Sequence, residues 1–350
     1  MLKGVVYALL AAALFGASTP FSKMLVGQME PVMLAGLLYL GSGLGLLTWY
    51  AVRYFVSRDK PASGDRLADS DLPWLSGAIL TGGVAGPVLL MIGLTLTPAS
   101  SASLLLNMEG VLTAMLAWFV FKENFDRRIF TGMILIVIAG ALLSWGQRPE
   151  LGVPWGALAI IAACLCWAID NNLTRKISAR DAVQIAGIKG LVAGVVNLSI
   201  ALALGYSAPE LRVVFSAGIV GFCGYGLSLV MFVLSLRHLG TARTGAYFSA
   251  APFVGAVVSL LILGETPNTF FWIAAALMAA GIWLHVTEVH VHEHTHSPMI
   301  HSHAHRHDAH HQHEHDFLWD GKEPHVHPHQ HQPLVHRHSH FPDIHHRHTH

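Results

Sequence analysis

Three ionisable side chains stand inside long apolar runs. Glu109 lies in PASSASLLLNMEGVLTAMLAWFVFKE (residues 98–123), Asp170 in WGALAIIAACLCWAIDNNLTRK (155–176) and Lys189 in AVQIAGIKGLVAGVVNLSIALA (182–203). A charge inside a hydrocarbon-spanning segment costs several kcal/mol unless it is paired or meets water, so each marks a functional position by default. A carboxylate there can hold a proton or a cationic group, and an ammonium can serve as its counter-charge. Counted at about 1.5 Å per helical residue, Glu109 sits roughly 20 Å, Lys189 roughly 12 Å and Asp170 roughly 9 Å from the same end of their runs, so one polar path could gather all three. Asn107, Asn171 and Asn172 flank the acids. The candidate path residues are Glu109, Asn107, Asp170, Asn171, Lys189, Ser18 and Tyr247. The competing reading is structural: Asp170 and Lys189 form an ion pair that fixes the packing of their helices, and the asparagines bond between helices.

A second chemistry is concentrated at the C-terminus. Residues 290–350 hold 23 of the 25 histidines, with 7 acids against 4 bases. The ligand candidates are His290, His292, His294 and His296, then His301, His303, His305 and His307. His310, His311, His313 and His315 follow, with His325, His327, His329 and His331. Imidazole is a good ligand for zinc, nickel, cobalt and copper, and His-rich tracts are a metal-binding composition. So poor an apolar content predicts a disordered tail. Protonation of its 23 histidines, around the reference pKa of about 6.5, would take it from net −3 to +20. That is a large pH-dependent attraction to anionic lipid.

The elements that carry the three charges are apolar helices of bilayer length. The 350-residue chain is 53% hydrophobic and 12% charged, where a soluble domain carries about a quarter charged residues. Its 21 basic and 21 acidic residues balance, so nothing points to nucleic acid. At about 20 apolar residues per crossing, ten spans are expected: 4–26, 31–55, 72–96, 98–121, 128–146, 154–174, 182–205, 212–236, 242–263 and 269–287. The first is too long, and continues too far through Pro20 and Lys23, to be a cleaved signal peptide. Cys164, Cys166 and Cys223 all fall inside spans, as buried apolar cysteines do. Trp49, Trp74, Trp145, Trp155, Trp272 and Trp283 cluster near span ends, as an interfacial belt would.

The ten spans read as five followed by five. Ala114 matches Ala256 and Glu123 matches Glu265 at an offset of 142, while Phe15, Ser18-Thr19 and Lys23 match Trp167, Asp170-Asn171 and Arg175 at 152. The polar segment 57–71 accounts for the difference. Pro252 of the second copy falls within one residue of Glu109 of the first, so the first copy is expected to lack the helix-loosening residue and to carry an acid instead. Thirteen Lys and Arg fall in the loops on the N-terminal side and three (Lys23, Arg148, Arg212) on the other. The positive-inside rule then puts both termini in the cytoplasm. An odd number of spans per copy inverts one copy relative to the other, a common transporter architecture.

In the 5+5 repeat, in the entry stretch ALFGASTPFSKML, in the span endings AWFVFKEN and LLILGETP, and in the final GIWL, the chain resembles the EamA family of the drug/metabolite transporter superfamily. The resemblance covers about residues 1–289. It implies a ten-helix carrier, of the kind that often exports amino acids or other small metabolites, and names no substrate.

The expected fold is therefore an all-α integral membrane protein of ten transmembrane helices in two inverted five-helix repeats, 1–147 and 148–289, with a disordered His-rich tail at 290–350. The expected function is secondary transport, as an exporter of a small metabolite, with a metal-binding cytoplasmic tail. A divalent transition-metal efflux carrier and a membrane-anchored metal store or sensor are the alternatives. No nucleotide loop or catalytic triad is present, so no enzyme is expected, and no cofactor is required. The expected location is the inner (plasma) membrane, multi-pass. The partners are lipid, a small-molecule substrate, metal ions and, as a homodimer, a second copy.

Overall fold

Every apolar run marked by the sequence becomes helix. The structure is a computed structural model that describes residues 2–57, 67, 69–121, 127–145, 153–177, 180–239, 241–286, 290–296, 299–305, 325–331 and 334–340. The chain divides into a helical unit, Met1–Thr287, and a C-terminal unit, Glu288–His350. The helices are α1 (Leu2–Val26), α2 (Pro31–Ser57), α3 (Leu72–Ala78), α4 (Gly86–Leu96), α5 (Ala99–Leu105), α6 (Met108–Phe121) and α7 (Arg127–Trp145). They continue with α8 (Trp155–Arg175), α9 (Ala182–Ala203), α10 (Leu211–Gly221), α11 (Ser228–Leu239), α12 (Thr241–Phe248), α13 (Ala251–Leu263) and α14 (Thr269–Val286). Among the described residues, seven helical stretches are long and apolar enough to cross a membrane. Three shorter apolar helices, Phe130–Ser144, Ala251–Leu263 and Thr269–Leu284, occupy the other expected positions. Trp49, Trp74, Trp155, Trp272 and Trp283 are exposed at helix ends, as a belt requires.

At the centre, α2 packs along α9. Glycines permit backbone-to-backbone approach: a Cβ on Gly36 would meet Leu198, one on Gly43 would meet Gly190 and Leu191, one on Gly194 would meet Leu40, and one on Gly187 would meet Leu47. As the position on α2 rises, its partner on α9 falls, so the two helices run antiparallel. Small residues drive such contacts in membranes because they let dispersion act over a long seam. Around this axis the copies exchange partners. The first helix, α1, packs on α11 and α13 of the second copy, while α8 packs on α4 and α6 of the first. A Cβ on Gly16 of α1 would strike Ala251 and Gly255, and one on Gly93 of α4 would strike Ile160.

Two spans are interrupted in each copy, at matching places. Between α3 and α4, residues Ile79–Ala85 form a π-helical segment, in which the Gly86 amide bonds back to Thr81 O. Between α10 and α11, Phe222–Leu227 do the same, with the Ser228 amide on Cys223 O. The first copy lacks the proline, as expected, and is broken in the same place all the same. A turn parts α5 from α6 at Leu106-Asn107, as one parts α12 from α13 at Ser249-Ala250. No proline is needed in the first copy because side chains take up the carbonyls that the break frees. Asn107 Nδ2 donates to Leu104 O at 2.9 Å, and the buried Cys164 thiol faces Leu105 O at 3.8 Å.

The turn from α4 to α5 is clamped from two sides. Lys23 Nζ, arriving on α1, donates to the last carbonyls of α4, Leu94 O and, at 3.0 Å, Thr97 O. Glu265 accepts the first amides of α5, from Ala99 at 2.7 Å and Ser100 at 2.9 Å. Each charge thus meets the helix end of opposite polarity. Gly264, at φ 63°, ends α13 in the left-handed region and turns Glu265 toward those amides. Asp181 caps α9 in the usual way, accepting from the Val183 and Gln184 amides at 2.8 and 3.0 Å.

In the C-terminal unit the described residues form four short strands. Strands β1 (His290–His296) and β4 (Leu334–His340) pair antiparallel, as do β2 (Met299–His305) and β3 (His325–His331). Histidine recurs there at every second residue, which is the period of a strand. The candidate ligands His307, His310, His311, His313 and His315 lie outside the described residues.

Candidate functional site

Three helices from both copies converge on the sequence-marked charges: α6 of the first, and α8 and α9 of the second. Asp170 is 5% exposed and forms an ion pair with Lys189 across α8 and α9. Its other oxygen, Oδ1, accepts from Thr174 Oγ1 at 3.0 Å, one turn further along α8. Both oxygens of this carboxylate are therefore held, and its charge is matched. The ion pair anticipated by the structural reading is present, and it stands beside the remaining acid.

Glu109 begins α6 and is partly buried against α8. Its Oε1 accepts from Asn171 Nδ2 at 2.8 Å, on the residue next to Asp170. An amide donor orients a carboxylate without neutralising it. Among the described side chains, Glu109 and Asp170 set two acids against the one ammonium of Lys189. Thr113, one turn along α6 from Glu109, is among the buried hydroxyls with no hydrogen-bond partner.

Asp170 rests on the π segment between α3 and α4. A Cβ on Gly82 would run into its carboxylate, so only glycine leaves the acid its place. The π geometry frees the carbonyls of Gly82 and Gly83 from the ordinary helical ladder, and three side chains take them. Tyr39 Oη donates to Gly82 O at 2.7 Å, Trp167 Nε1 to the same oxygen at 3.0 Å, and Asn197 Nδ2 to Gly83 O at 3.2 Å. These ties come from α2, α8 and α9, so the helices that carry the charges also fix the segment beneath them. In the sequence Trp167 stands out only as the repeat counterpart of Phe15. Glycines at the same offset of 142, Gly82 and Gly224, were the sequence signal for the matching π segments.

The other expected site residues fall elsewhere. Ser18, the counterpart of Asp170, lies against Gly224 of the second π segment, and its hydroxyl donates to Phe15 O at 2.6 Å. From that segment the ring of Tyr225 lies 5.5 Å from Tyr39 and 6.0 Å from Phe15. Asn107 serves the helix break and contacts Met278 Sδ at 3.5 Å. Asn172 bonds back to Ala168 O on its own helix. Tyr247, on α12, is 38% exposed and is not brought to the acids. Chemically, the arrangement offers one compensated ion pair and one carboxylate free to exchange a proton or a cationic group.

The EamA-like transporter family matches the chain twice, over residues 2–145 and 154–287. A protein of Methanothermobacter thermautotrophicus described as an uncharacterized transporter is 28% identical over 80% of this chain and 85% of its own length. A Salmonella typhimurium protein described as a probable amino-acid metabolite efflux pump is 26% identical over 80% of this chain and 93% of its own. An Escherichia coli protein, the uncharacterized inner membrane transporter YedA, is 24% identical over 79% and 88%. A crystal structure superposes with a TM-score of 0.59 over 80% of this chain and 95% of the other at 17% identity, a likeness of fold.

Proposed function

Because the chain belongs to the EamA-like transporter family, we propose that it is a secondary carrier that exports a small, amino-acid-like metabolite across the inner membrane. The observation that carries this reading is the contact between Glu109 and Asn171 beside the Asp170–Lys189 pair. It joins α6 of one copy to α8 and α9 of the other, so it sits where a motion of the copies against each other would be felt. In this reading Glu109 takes up a proton when substrate leaves, and Asn171 holds the carboxylate in place in both states. Asp170 and Lys189 keep the neighbouring helices in register and line the path.

The carrier is read as ten spans in two inverted repeats, 1–147 and 148–289, with both termini in the cytoplasm. The antiparallel course of α2 and α9, at equivalent places in the repeats, supports the inversion. The inner-membrane location is supported by the Escherichia coli relative, and the export of amino-acid-like solutes by the Salmonella one. The tail, 290–350, is read as a cytoplasmic binder of zinc, nickel, cobalt or copper. In support, the backbone register sets histidine opposite histidine at His290–His340, His292–His338 and His294–His336, and again at His301–His329, His303–His327 and His305–His325. A homodimer belongs to the same proposal. Among the described residues, no three metal-ligating side chains come together.

The test is a paired metabolite and metal profile of cells with and without the protein. Accumulation of an amino-acid-like solute in cells lacking it, reversed by the intact gene and not by Glu109→Gln, supports the reading. A changed metal content with unchanged metabolites overturns it.

A further inference from the structure

The two π segments occupy matching places in the repeats, yet their surroundings differ in one respect. In the first, Ile79–Ala85, the freed carbonyls of Gly82 and Gly83 are tied by Tyr39, Trp167 and Asn197. Each of these donors has a counterpart facing the second half. Trp167 corresponds to Phe15 at the offset of 152, while Ala35-Gly36 aligns with Ala186-Gly187 at 151, which places Gly190 opposite Tyr39 and Leu46 opposite Asn197. Phenylalanine, glycine and leucine side chains carry no hydrogen-bond donor. Among the described residues, no side chain donates to a carbonyl of Phe222–Leu227. Ser228, just beyond, reaches away to Ala11 O at 2.9 Å. The backbone of the second segment is left to its i→i+5 bonds alone.

From this difference we infer that the π segments are unequal hinges: Phe222–Leu227 bends during the carrier's cycle while Ile79–Ala85 stays tied. A π segment is a place where a helix can change its hydrogen-bond register at small cost, since one carbonyl per turn is already outside the regular ladder. Three external donors on the first segment fix that register. To slip, the segment would have to leave Gly82 O and Gly83 O unsatisfied away from water, or carry Tyr39, Trp167 and Asn197 with it. The second segment meets no such condition. Its contacts on either side are small or apolar: Gly224 lies against Ser18, and a Cβ built on Gly226 would lie 3.3 Å from Ser42 Oγ and 3.5 Å from Leu46 and Phe222. Because Asp170 rests on Gly82, the charged cluster belongs to the stationary side, and the second repeat swings α10 relative to α11 around it.

The inference rests on the carrier reading. Its test reads backbone exchange and no transport, so failure of one is distinguishable from failure of the other. Full-length protein in lipid nanodiscs is followed by hydrogen–deuterium exchange with mass spectrometry. Amides from Phe222 to Ser228 are expected to exchange about tenfold or more faster than those from Ile79 to Gly86, the factor that one or two net hydrogen bonds supply. Equal rates, or faster exchange in the first segment, overturn the inference. In Tyr39→Phe with Trp167→Phe, which gives the first segment the kind of neighbour that Phe15 is to the second, its exchange is expected to rise toward that of Phe222–Leu227, with the latter unchanged. If the double variant fails to fold, Tyr39→Phe alone, the loss of one oxygen, is read the same way. No acceleration in the first segment counts against the inference in either variant.

Discussion

Asp170 lies directly on Gly82, with its carboxylate in the space that any Cβ there would fill. The carboxylate cannot retreat easily, since Lys189 and Thr174 hold both its oxygens. Gly82→Ala should therefore cost about 1–3 kcal/mol as an overpacked site, together with most of the transport. Gly218→Ala is the control, because a Cβ there meets nothing within 4 Å; it should be neutral or stabilising by up to about 1 kcal/mol. Thermal midpoints in detergent and export from loaded vesicles check both.

Breaking the Asp170–Lys189 pair from one side should be much worse than removing it. Side-chain exposures of 7% and 16% place both partners out of bulk water. Lys189→Met would leave a buried, unmatched carboxylate and destabilise by about 3–5 kcal/mol. Asp170→Asn with Lys189→Met should recover most of that loss. A double-mutant cycle on unfolding midpoints reads the coupling, and a double variant no better than Lys189→Met would refute the pairing as the source of the cost.

Glu109→Gln keeps the shape of the side chain and a carbonyl to accept from Asn171, but removes the titrating group. Folding should be retained, while transport should lose its dependence on pH. Measurement of export in vesicles between pH 5.5 and 8 decides it. A variant with an unchanged pH profile would remove the proton role assigned to Glu109.

The tail should be separable from the carrier. Deleting residues 290–350 is expected to leave the helical unit folded and exporting, and to abolish binding of nickel or zinc by calorimetry. The intact tail should also pull the protein's C-terminus onto anionic vesicles as pH falls through about 6.5, because its histidines then become cationic. Binding of the tail peptide to anionic and neutral vesicles at pH 5.5 and 7.5 measures this. The expectation fails if the peptide binds equally at both.

Opposite-charge capping gives one more expectation. Glu265→Ala strips the acceptor from the Ala99 and Ser100 amides and should cost about 1 kcal/mol. Glu265→Gln should also destabilise, since its one amide oxygen can accept from only one of the two amides and its NH2 cannot accept from the other. Thermal midpoints of both variants check this.

Particular residues show how far the sequence could be read. The apolar runs give each helix within a few residues, because hydrocarbon length and side-chain transfer energies are properties of local sequence. The Asp170–Lys189 pair was also legible, as two opposite charges one helix apart in spans that need them matched. The partner of Glu109 was not, since Asn171 reaches it from a helix 62 residues away. The break at Leu106-Asn107 was missed for a related reason. Proline breaks a helix from within, whereas this break depends on Asn107 and on Cys164 arriving from α8. The π segments escaped because Tyr39, Trp167 and Asn197, which take the carbonyls of the first, arrive from other helices. Glu265 was matched to Glu123 by offset, but its service to the start of α5 depends on tertiary contact. Lys122 and Glu123 themselves lie outside the described residues.

The exchange of partners between the copies has a consequence for how the protein is made. Gly16 on α1 packs against Ala251 and Gly255 on α13, which leave the ribosome about 235 residues later. At about 5–20 residues per second, α1 waits roughly 10–50 s in the bilayer without its final neighbour. During that interval its small-residue face is open to lipid and to other nascent helices. The bundle closes only as the last third of the chain is synthesised.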